Sequence, residues 1–364
     1  MRIAVDAMGS DAAPDVEVAG AVAASLQSDT EVLLVGDEAV LQEKLEAFPK
    51  RGAVSLVHAS EAIGMNESPV MAVRRKKDAS LLVAMRLVNE GEAGAVVSAG
   101  NTGAVMVAAR TVLGPIPGVS RSAISQTLPT AQGSVVLLDL GANVDCTARQ
   151  LSEFAEMGIA YSHYTLGVEE PRVGLLNIGE EDVKGGQVAK GVHQSLSASP
   201  HMNFVGNIEP SGMLQGEADV VVCDGFIGNL FLKTSEAVAA FMGSMIREQF
   251  ESSSRNKLGA LLAKKALKEL KAKVDPNEYP GAPLLGVNGI VIIIHGSATS
   301  RGVANAIRGA RVAFEHKLNE HIAENIQELR KVERGCYSAE RSEKTQDAEE
   351  KDCEATAAPA EPQE

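Results

Sequence analysis

Side chains able to do chemistry gather just beyond short apolar runs. In VVSAGNTGA, Ser98 ends such a run, and Gly100, Asn101, Thr102 and Gly103 turn into an apolar helix. Two glycines let the backbone approach a ligand closely, the Thr102 hydroxyl can donate, and N–H groups at a helix start favour an anion. This predicts a phosphate cradle, although an ordinary strand-to-helix turn has the same outline. VVLLDLGANVD brings out Asp139, Asn143 and Asp145 together. VGLLNIGEEDVKG supplies Asn177, Glu180, Glu181, Asp182 and Lys184. Lys184 either reaches back over a strand end toward an anion or joins a surface ion network with those acids. DVVVCDGFIGNLFLKTSE sets Asp224, Gly225, Gly228 and Asn229 between a strand and a helix, with Lys233 one turn on. GIVIIIHGSATSRG ends its apolar run on His295, Gly296 and Ser297, and His295 is the histidine best placed for proton transfer. The first loop, DAMGSDAAP, offers Asp6, Met8, Gly9, Ser10 and Asp11.

Other chemistries lack their signatures. There is no Gly-x-Gly-x-x-Gly dinucleotide fingerprint, no P-loop, no His-Glu-x-x-His and no Gly-x-Ser-x-Gly elbow. The four cysteines share no Cys-x-x-Cys spacing, which argues against a zinc site or redox dithiol and for free thiols in a reducing compartment.

The elements that must position these loops alternate in type. β-branched apolar runs at 2–6, 31–35, 54–58, 95–98, 134–139, 172–177, 203–206, 218–223 and 289–295 predict strands. Residues 16–28, 80–90, 151–166, 186–197, 230–249 and 303–329 predict helices between them. Several runs are almost wholly apolar, as strands covered on both faces are. The alternation predicts an α/β fold with a largely parallel sheet and helices on both sides. In such sheets, ligands bind beyond the carboxyl ends of the strands, where the loops above lie.

Composition bounds the partners. The chain has 364 residues, 48 acidic against 34 Lys and Arg, a net charge of −14 and 3% aromatics. An acidic, aromatic-poor chain is a poor nucleic-acid binder, since phosphate backbones need cations and bases need stacking partners. Asp6 interrupts any leader-like apolar region, and no run approaches the ~20 residues of a membrane span. The expectation is a soluble, cytoplasmic protein. Residues 336–364 are rich in Glu, Lys, Ala, Pro and Gln, predicting a disordered acidic tail. Residues 255–274 are the basic exception, with seven Lys and Arg against Glu269 alone. On one helix, Leu262, Ala263, Ala266, Leu267, Leu270 and Val274 fall within an arc of about 140°, opposite Lys264, Lys265, Lys268 and Lys271. Such a helix either meets anionic membrane or an acidic partner, or packs by its apolar face. Arg74, Arg75, Lys76 and Lys77 form a second, compact basic cluster.

Together these motifs resemble those of the bacterial phosphate acyltransferases of phospholipid synthesis, the acyl-acyl carrier protein:phosphate family. The resemblance runs from Met1 to about Arg334 and rests on RIAVDAMG, AVRRKK, SAGNTGA, LLDLGANVD, RVGLLNIGEED, VVVCDGF and HGS. The family opening usually reads Met-Gly-Gly-Asp-His-Ala-Pro; here Ser10 replaces the second Gly and Ala12 the His. The late motif usually reads His-Gly-Ser-Ser, and here Ala298 follows Ser297. The resemblance implies a three-layer α/β/α fold like that of phosphotransacetylase and isocitrate dehydrogenase. Residues 1–335 would form a two-lobed catalytic unit with a helical arm at about 236–285. It implies reversible conversion of acyl-acyl carrier protein and inorganic phosphate to acyl-phosphate, which feeds a membrane acyltransferase. It further implies a homodimer that touches the membrane surface, with Lys264, Lys265, Lys268 and Lys271 toward carrier protein or anionic lipid.

For that reaction phosphate is itself the nucleophile, and no metal or cofactor is required. The Gly100–Gly103 loop and Lys184 would bind it, with Ser297 nearby. Asn143, Asn177 and Asn229 would donate to the carbonyl or to pantetheine. His295 would protonate the leaving thiolate, and Asp224 would orient or deprotonate. The competing readings are a phosphate acetyltransferase using acyl-CoA, a nicotinamide-dependent dehydrogenase of similar fold, and a non-catalytic scaffold that binds carrier protein at the membrane.

Overall fold

The computed structural model describes residues 1–331, so the predicted tail at 336–364 lies outside the described residues. In chain order the strands are β1 (Arg2–Asp6), β2 (Glu31–Gly36), β3 (Val54–His58), β4 (Ala95–Ser98), β5 (Ala123–Thr130), β6 (Gly133–Leu138), β7 (Val173–Leu176), β8 (Phe204–Ile208), β9 (Val220–Val222), β10 (Ala282–Leu285) and β11 (Ile290–Ile293). The helices are α1 (Asp15–Gln27), α2 (Glu38–Glu46), α3 (Pro69–Arg75), α4 (Ser80–Asn89), α5 (Thr102–Val112), α6 (Ala148–Ala160), α7 (Gln187–Ser197), α8 (Pro210–Gln215), α9 (Gly225–Glu251), α10 (Ser254–Leu262), α11 (Lys264–Val274) and α12 (Ser300–Glu315). A further helical stretch covers 318–331.

All the strands among the described residues join one sheet in the order β3-β2-β1-β4-β11-β10-β5-β6-β9-β7-β8. Alternation along each strand sends side chains to two separate cores. Ile3, Val5, Val136 and Leu138 meet α1, α6 and α12 on one face, while Ala4, Val135 and Leu137 share the other with residues of α4 and α5. That period of two is what a strand buried on both faces requires. The result is a three-layer α/β/α arrangement.

Two strands were not foreseen from the sequence, and they set the topology. β3, β2, β1, β4 and β11 are mutually parallel, as are β6, β9, β7 and β8. Between these blocks β10 and β5 pair antiparallel with each other and with their outer neighbours. The blocks therefore run in opposite directions. Ala282 pairs with Ile293 at the end of β11, Leu284 with Ile124, and Ser125 with Leu138 at the end of β6. Following that register, the carboxyl ends of β11 and β6 lie within one residue of the same level. Three inter-strand spacings, about 14 Å, separate them. Loops from both lobes thus reach the same stretch of the molecule.

The helical arm departs from expectation in two ways. The basic segment is not one helix: α10 ends and α11 begins at Ala263, so Leu262 stands alone at the end of α10, 82% exposed. The arm's return is strand β10 from Ala282 onward, so the predicted limit near 285 runs into the sheet. The predicted helix at 303–329 is likewise broken, at 316–317, where Lys317 takes a φ of 52°.

The stretch after that break ties the lobes together. Ile322 and Ile326 are fully buried in the core shared with α6 and α12. Glu153 of α6, also fully buried, accepts from the Ser120 amide at 2.8 Å and hydroxyl at 2.5 Å, and from Arg330. Removing this buried acceptor takes one partner from Arg330 and the acceptor from both Ser120 donors. Glu153→Ala should therefore cost about 3–5 kcal/mol in urea denaturation; a loss within error would show that this contact does not hold the helix.

Candidate active site

In the first lobe the loops are organised around a buried carboxyl. Asp6, at the end of β1, is 2% exposed and accepts the hydroxyls of Ser80 at 2.6 Å and Ser98 at 2.7 Å. Burial pushes its pKa up despite those two bonds. Gly9 and Gly100 close over it: a Cβ on Gly9 would lie 2.8 Å from the Gly100 amide nitrogen and 2.9 Å from the Asp6 carboxylate. The two loops can pass this closely only without side chains. Asn101 caps α5, accepting from the Ala104 amide at 3.1 Å, and donates to the carbonyls of Met65 and Glu67. Its amide is thereby committed to the framework. The amides of Thr102 and Gly103 carry no hydrogen bond among the described residues. As first residues of a helix they have no intrahelical acceptor.

The second lobe repeats the device. Asp139, fully buried after β6, accepts from the amides of Ile124, Ala142 and Asn143 and from the Asn143 side chain. Burial again raises its pKa. Gly225 passes over this loop: a Cβ there would meet the Asn143 carbonyl at 2.7 Å and the Asp139 carboxylate at 2.9 Å. Both Asn143 side-chain donor contacts are internal, to Ser122 O at 2.8 Å and to Asp139 at 2.9 Å. Asp224 caps α9, accepting from the Ile227 amide at 2.8 Å. Asn177 donates to the Lys184 carbonyl, which closes the 177–184 loop on itself. The Lys184 ammonium stands 3.6 Å from Glu181 and is half-exposed, as the ion-network reading of this loop expects.

His295 is exposed after β11. Its Nδ1 accepts from the Ser297 amide at 3.1 Å and lies 2.7 Å from the Ser297 hydroxyl. A backbone N–H can only donate, so the neutral ring carries its proton on Nε2. Nε2–H is therefore a donor available to a bound group. The two described thiols are poor nucleophiles: burial pushes Cys146 up to about 11 and Cys223 well above the ordinary thiol range.

These parts meet at a cleft of about 2030 Å³ that crosses β10 and β5 beneath the arm. Thr102, Gly103, Asn229, His295 and Ser297 line it, with Gly141 and Lys233. Met242, Ile246, Leu267, Leu270 and Val274 of the arm form an apolar wall. Gly100, Asn101, Asn143 and Asp224 support the lining loops from behind, and neither Asn177 nor Lys184 lines the cleft. On the arm, Lys264, Lys265 and Lys268 are exposed, and Lys265 lies 4.0 Å from Glu269; the Lys271 side chain lies outside the described residues. Among the described residues, no three His, Cys, Asp or Glu side chains converge as metal ligands. None of their helices is long and apolar enough to cross a membrane.

The organising role of the buried acids was not legible in the sequence. Asp6 and Asp139 were legible as acids ending apolar runs, but their hydroxyl and amide partners were not. Glu17, inside predicted helix 16–28, carried no signal at all. It is 1% exposed, and burial raises its pKa to about 7 from 4.5. A carboxyl raised in the folded state costs stability as pH rises from its unfolded to its folded pKa. Glu17→Gln should match the parent near pH 4.5 and exceed it by about 3 kcal/mol at pH 8, by the linkage of a 2.5-unit shift. Parallel stability–pH curves for the two proteins would refute that placement of Glu17.

A family model described as fatty acid synthesis protein matches residues 1–321. The phosphate acyltransferase of Pelotomaculum thermopropionicum is 47% identical over 329 residues, spanning 90% of this chain and 96% of that protein. That of Thermosynechococcus vestitus is 46% identical over 334 residues, spanning 91% and 97%. Among solved structures, the EutD phosphotransacetylase from Staphylococcus aureus aligns with a TM-score of 0.55 at 17% identity, over 86% of this chain and 94% of its own. A phosphotransacetylase from Streptococcus pyogenes aligns equally, at 0.55 and 17%, over 90% and 94%. At such identity the structures establish the fold, while the sequence relatives establish membership. The chain belongs to the fatty acid synthesis protein family, that of the phosphate acyltransferases.

Proposed function

We propose that the acyl donor is a long-chain acyl-acyl carrier protein, the acceptor inorganic phosphate and the product acyl-phosphate, formed reversibly and consumed in glycerol-3-phosphate acylation. The observation that supports this most is the two-sided cleft. Its floor is polar at the strand ends, and its arm wall is apolar, as a phosphate acceptor and an aliphatic acyl chain together require. The free Thr102 and Gly103 amides at the start of α5 hold the phosphate, with the Thr102 and Ser297 hydroxyls beside it. A phosphate oxygen attacks the thioester carbonyl. The new O–C bond forms, the C–S bond breaks, and the leaving sulfur takes the Nε2 proton of His295. The proton given up by the phosphate passes through the Ser297 hydroxyl to Nδ1, 2.7 Å away, so the ring stays neutral. Asn229 donates to the carbonyl oxygen as charge develops there. The arm, with Lys264, Lys265, Lys268 and Lys271, faces carrier protein or anionic membrane, and the working unit is a homodimer.

The purified protein with acyl-carrier protein, phosphate and hydroxylamine should yield acyl hydroxamate only when phosphate is present. Turnover of acyl-CoA without carrier protein would favour the alternative donor. Carrier-protein binding with no hydroxamate from either donor would favour a scaffold. His295→Ala should lower kcat about 10²–10⁴-fold, the usual span for a lost general acid. Lys184, outside the cleft walls and 3.6 Å from Glu181, should leave the phosphate KM unchanged when replaced by Ala; a raised KM would return it to the phosphate site.

A further inference from the structure

Residues 9, 10 and 11 are consecutive, and each touches a different part of the site. Gly9 packs on Gly100, the cradle loop. The Ser10 amide donates to Glu17 Oε1 at 3.3 Å. The Asp11 amide donates to the Gly296 carbonyl at 2.9 Å, one residue from His295. Of these three contacts, only the middle one anchors the loop to a helix. We propose that Glu17 is a positioning residue: through the Ser10 amide it fixes the first loop, residues 7–14, between the phosphate cradle and the His295 loop.

Several observations carry this. Glu17 stands on the third residue of α1, between the loop and a core built from Val18, Ala21 and Val22. An apolar side chain would suit that core, and a buried carboxyl is costly there. Its second oxygen, Oε2, has no partner in hydrogen-bonding geometry, and the Ser10 hydroxyl comes close enough to lower the carboxyl's pKa without completing such a bond. Glu17 is therefore not satisfied by the fold as a structural ion pair would be. Its one hydrogen bond from outside α1 goes to the loop. Among charged groups, the buried Asp6 carboxyl acts on it and raises its pKa further. Space around the loop is tight. A Cβ on Gly296 would lie 2.6 Å from the Met65 methyl and 3.3 Å from the Asp11 carboxylate. Displacement of residue 10 therefore passes directly to residues 9 and 11, and through them to both sides of the phosphate position.

Two variants of the full-length protein separate positioning from mere packing. Glu17→Met fills similar volume and removes the acceptor; Glu17→Gln keeps an oxygen for Ser10 N–H. Amide hydrogen exchange should rise about tenfold in peptides covering 7–14 and 295–299 of Glu17→Met, with the second lobe unchanged. The phosphate KM of that variant should rise about fivefold or more while the acyl-donor KM stays within about twofold. Glu17→Gln should restore both readouts. The kinetic readout rests on the phosphate acyltransfer reading; the exchange readout does not. A parent protein without phosphate-dependent transfer would sink that reading and leave exchange to decide the tie. Parent-like exchange in both loops of Glu17→Met, or a Glu17→Gln as damaged as Glu17→Met, would overturn the proposal.

Discussion

A carboxyl at the end of a buried strand must find its solvation inside the protein. Asp6 and Asp139 impose that constraint on the two lobes. Desolvating a carboxylate costs several kcal/mol, and each hydrogen bond to a charged group returns about 1.5–3, so several donors must converge. Asp6 draws in Ser80 from the start of α4 and Ser98 from the end of β4. Asp139 draws in four donors, one of them the Ile124 amide at the start of β5. The loops that collect these donors crowd together, and glycine is needed where Gly9 passes Gly100 and where Gly225 passes Asn143. The polar floor of the cleft is therefore shaped by the satisfaction of two acids that do not themselves line it.

The second shaping element is the reversal of strand direction between the lobes. Only two residue pairs join β10 to β11 and two join β10 to β5. Such a short ladder would hold the lobes weakly. The two cores compensate, because each runs across both lobes without interruption. The Glu153 contacts with Ser120 and Arg330 add a polar clamp at the back. His295 in one lobe and Asn229 in the other are thus held at a spacing set by the core as much as by the sheet.

This division of labour explains what could be read from the sequence. Most of the nine strands of the parallel blocks announce themselves, since burial on both faces makes them almost wholly apolar; the edge strands β3 and β8 are partly exposed and more mixed. β5 reads AISQTLPT and β10 reads APLL, mixed or very short, with a proline in each. Neither has the pattern of a two-sided buried strand, and their existence follows from pairing partners far along the chain. The glycine-rich loops were legible for the same reason that they work: only they permit close backbone passage. Which of their polar residues face the cleft was not legible. Asn101, Asn143 and Asn177 look like Asn229, yet the first three spend their amides on the framework. The break at Ala263 was hidden because Ala suits a helix interior.

What the site lacks also bears on how it must work. Its two described thiols are held protonated at neutral pH, and the Ser297 hydroxyl, 2.7 Å from His295 Nδ1, shares that nitrogen with its own backbone amide, while Nε2 is left as a donor. A donor suits protonation of a leaving group better than activation of a serine. On the proposed reaction the protein's contribution rests on orientation, which can supply about 7–11 kcal/mol when reacting atoms are held near contact. Catalysis of that kind is sensitive to the anchoring of loops remote from the reacting atoms, because an error of 1 Å in placing the phosphate is not corrected by any covalent step. A single buried carboxyl under the first loop, costly where it stands and bonded from outside its helix only by Ser10, is the kind of residue such a site depends on.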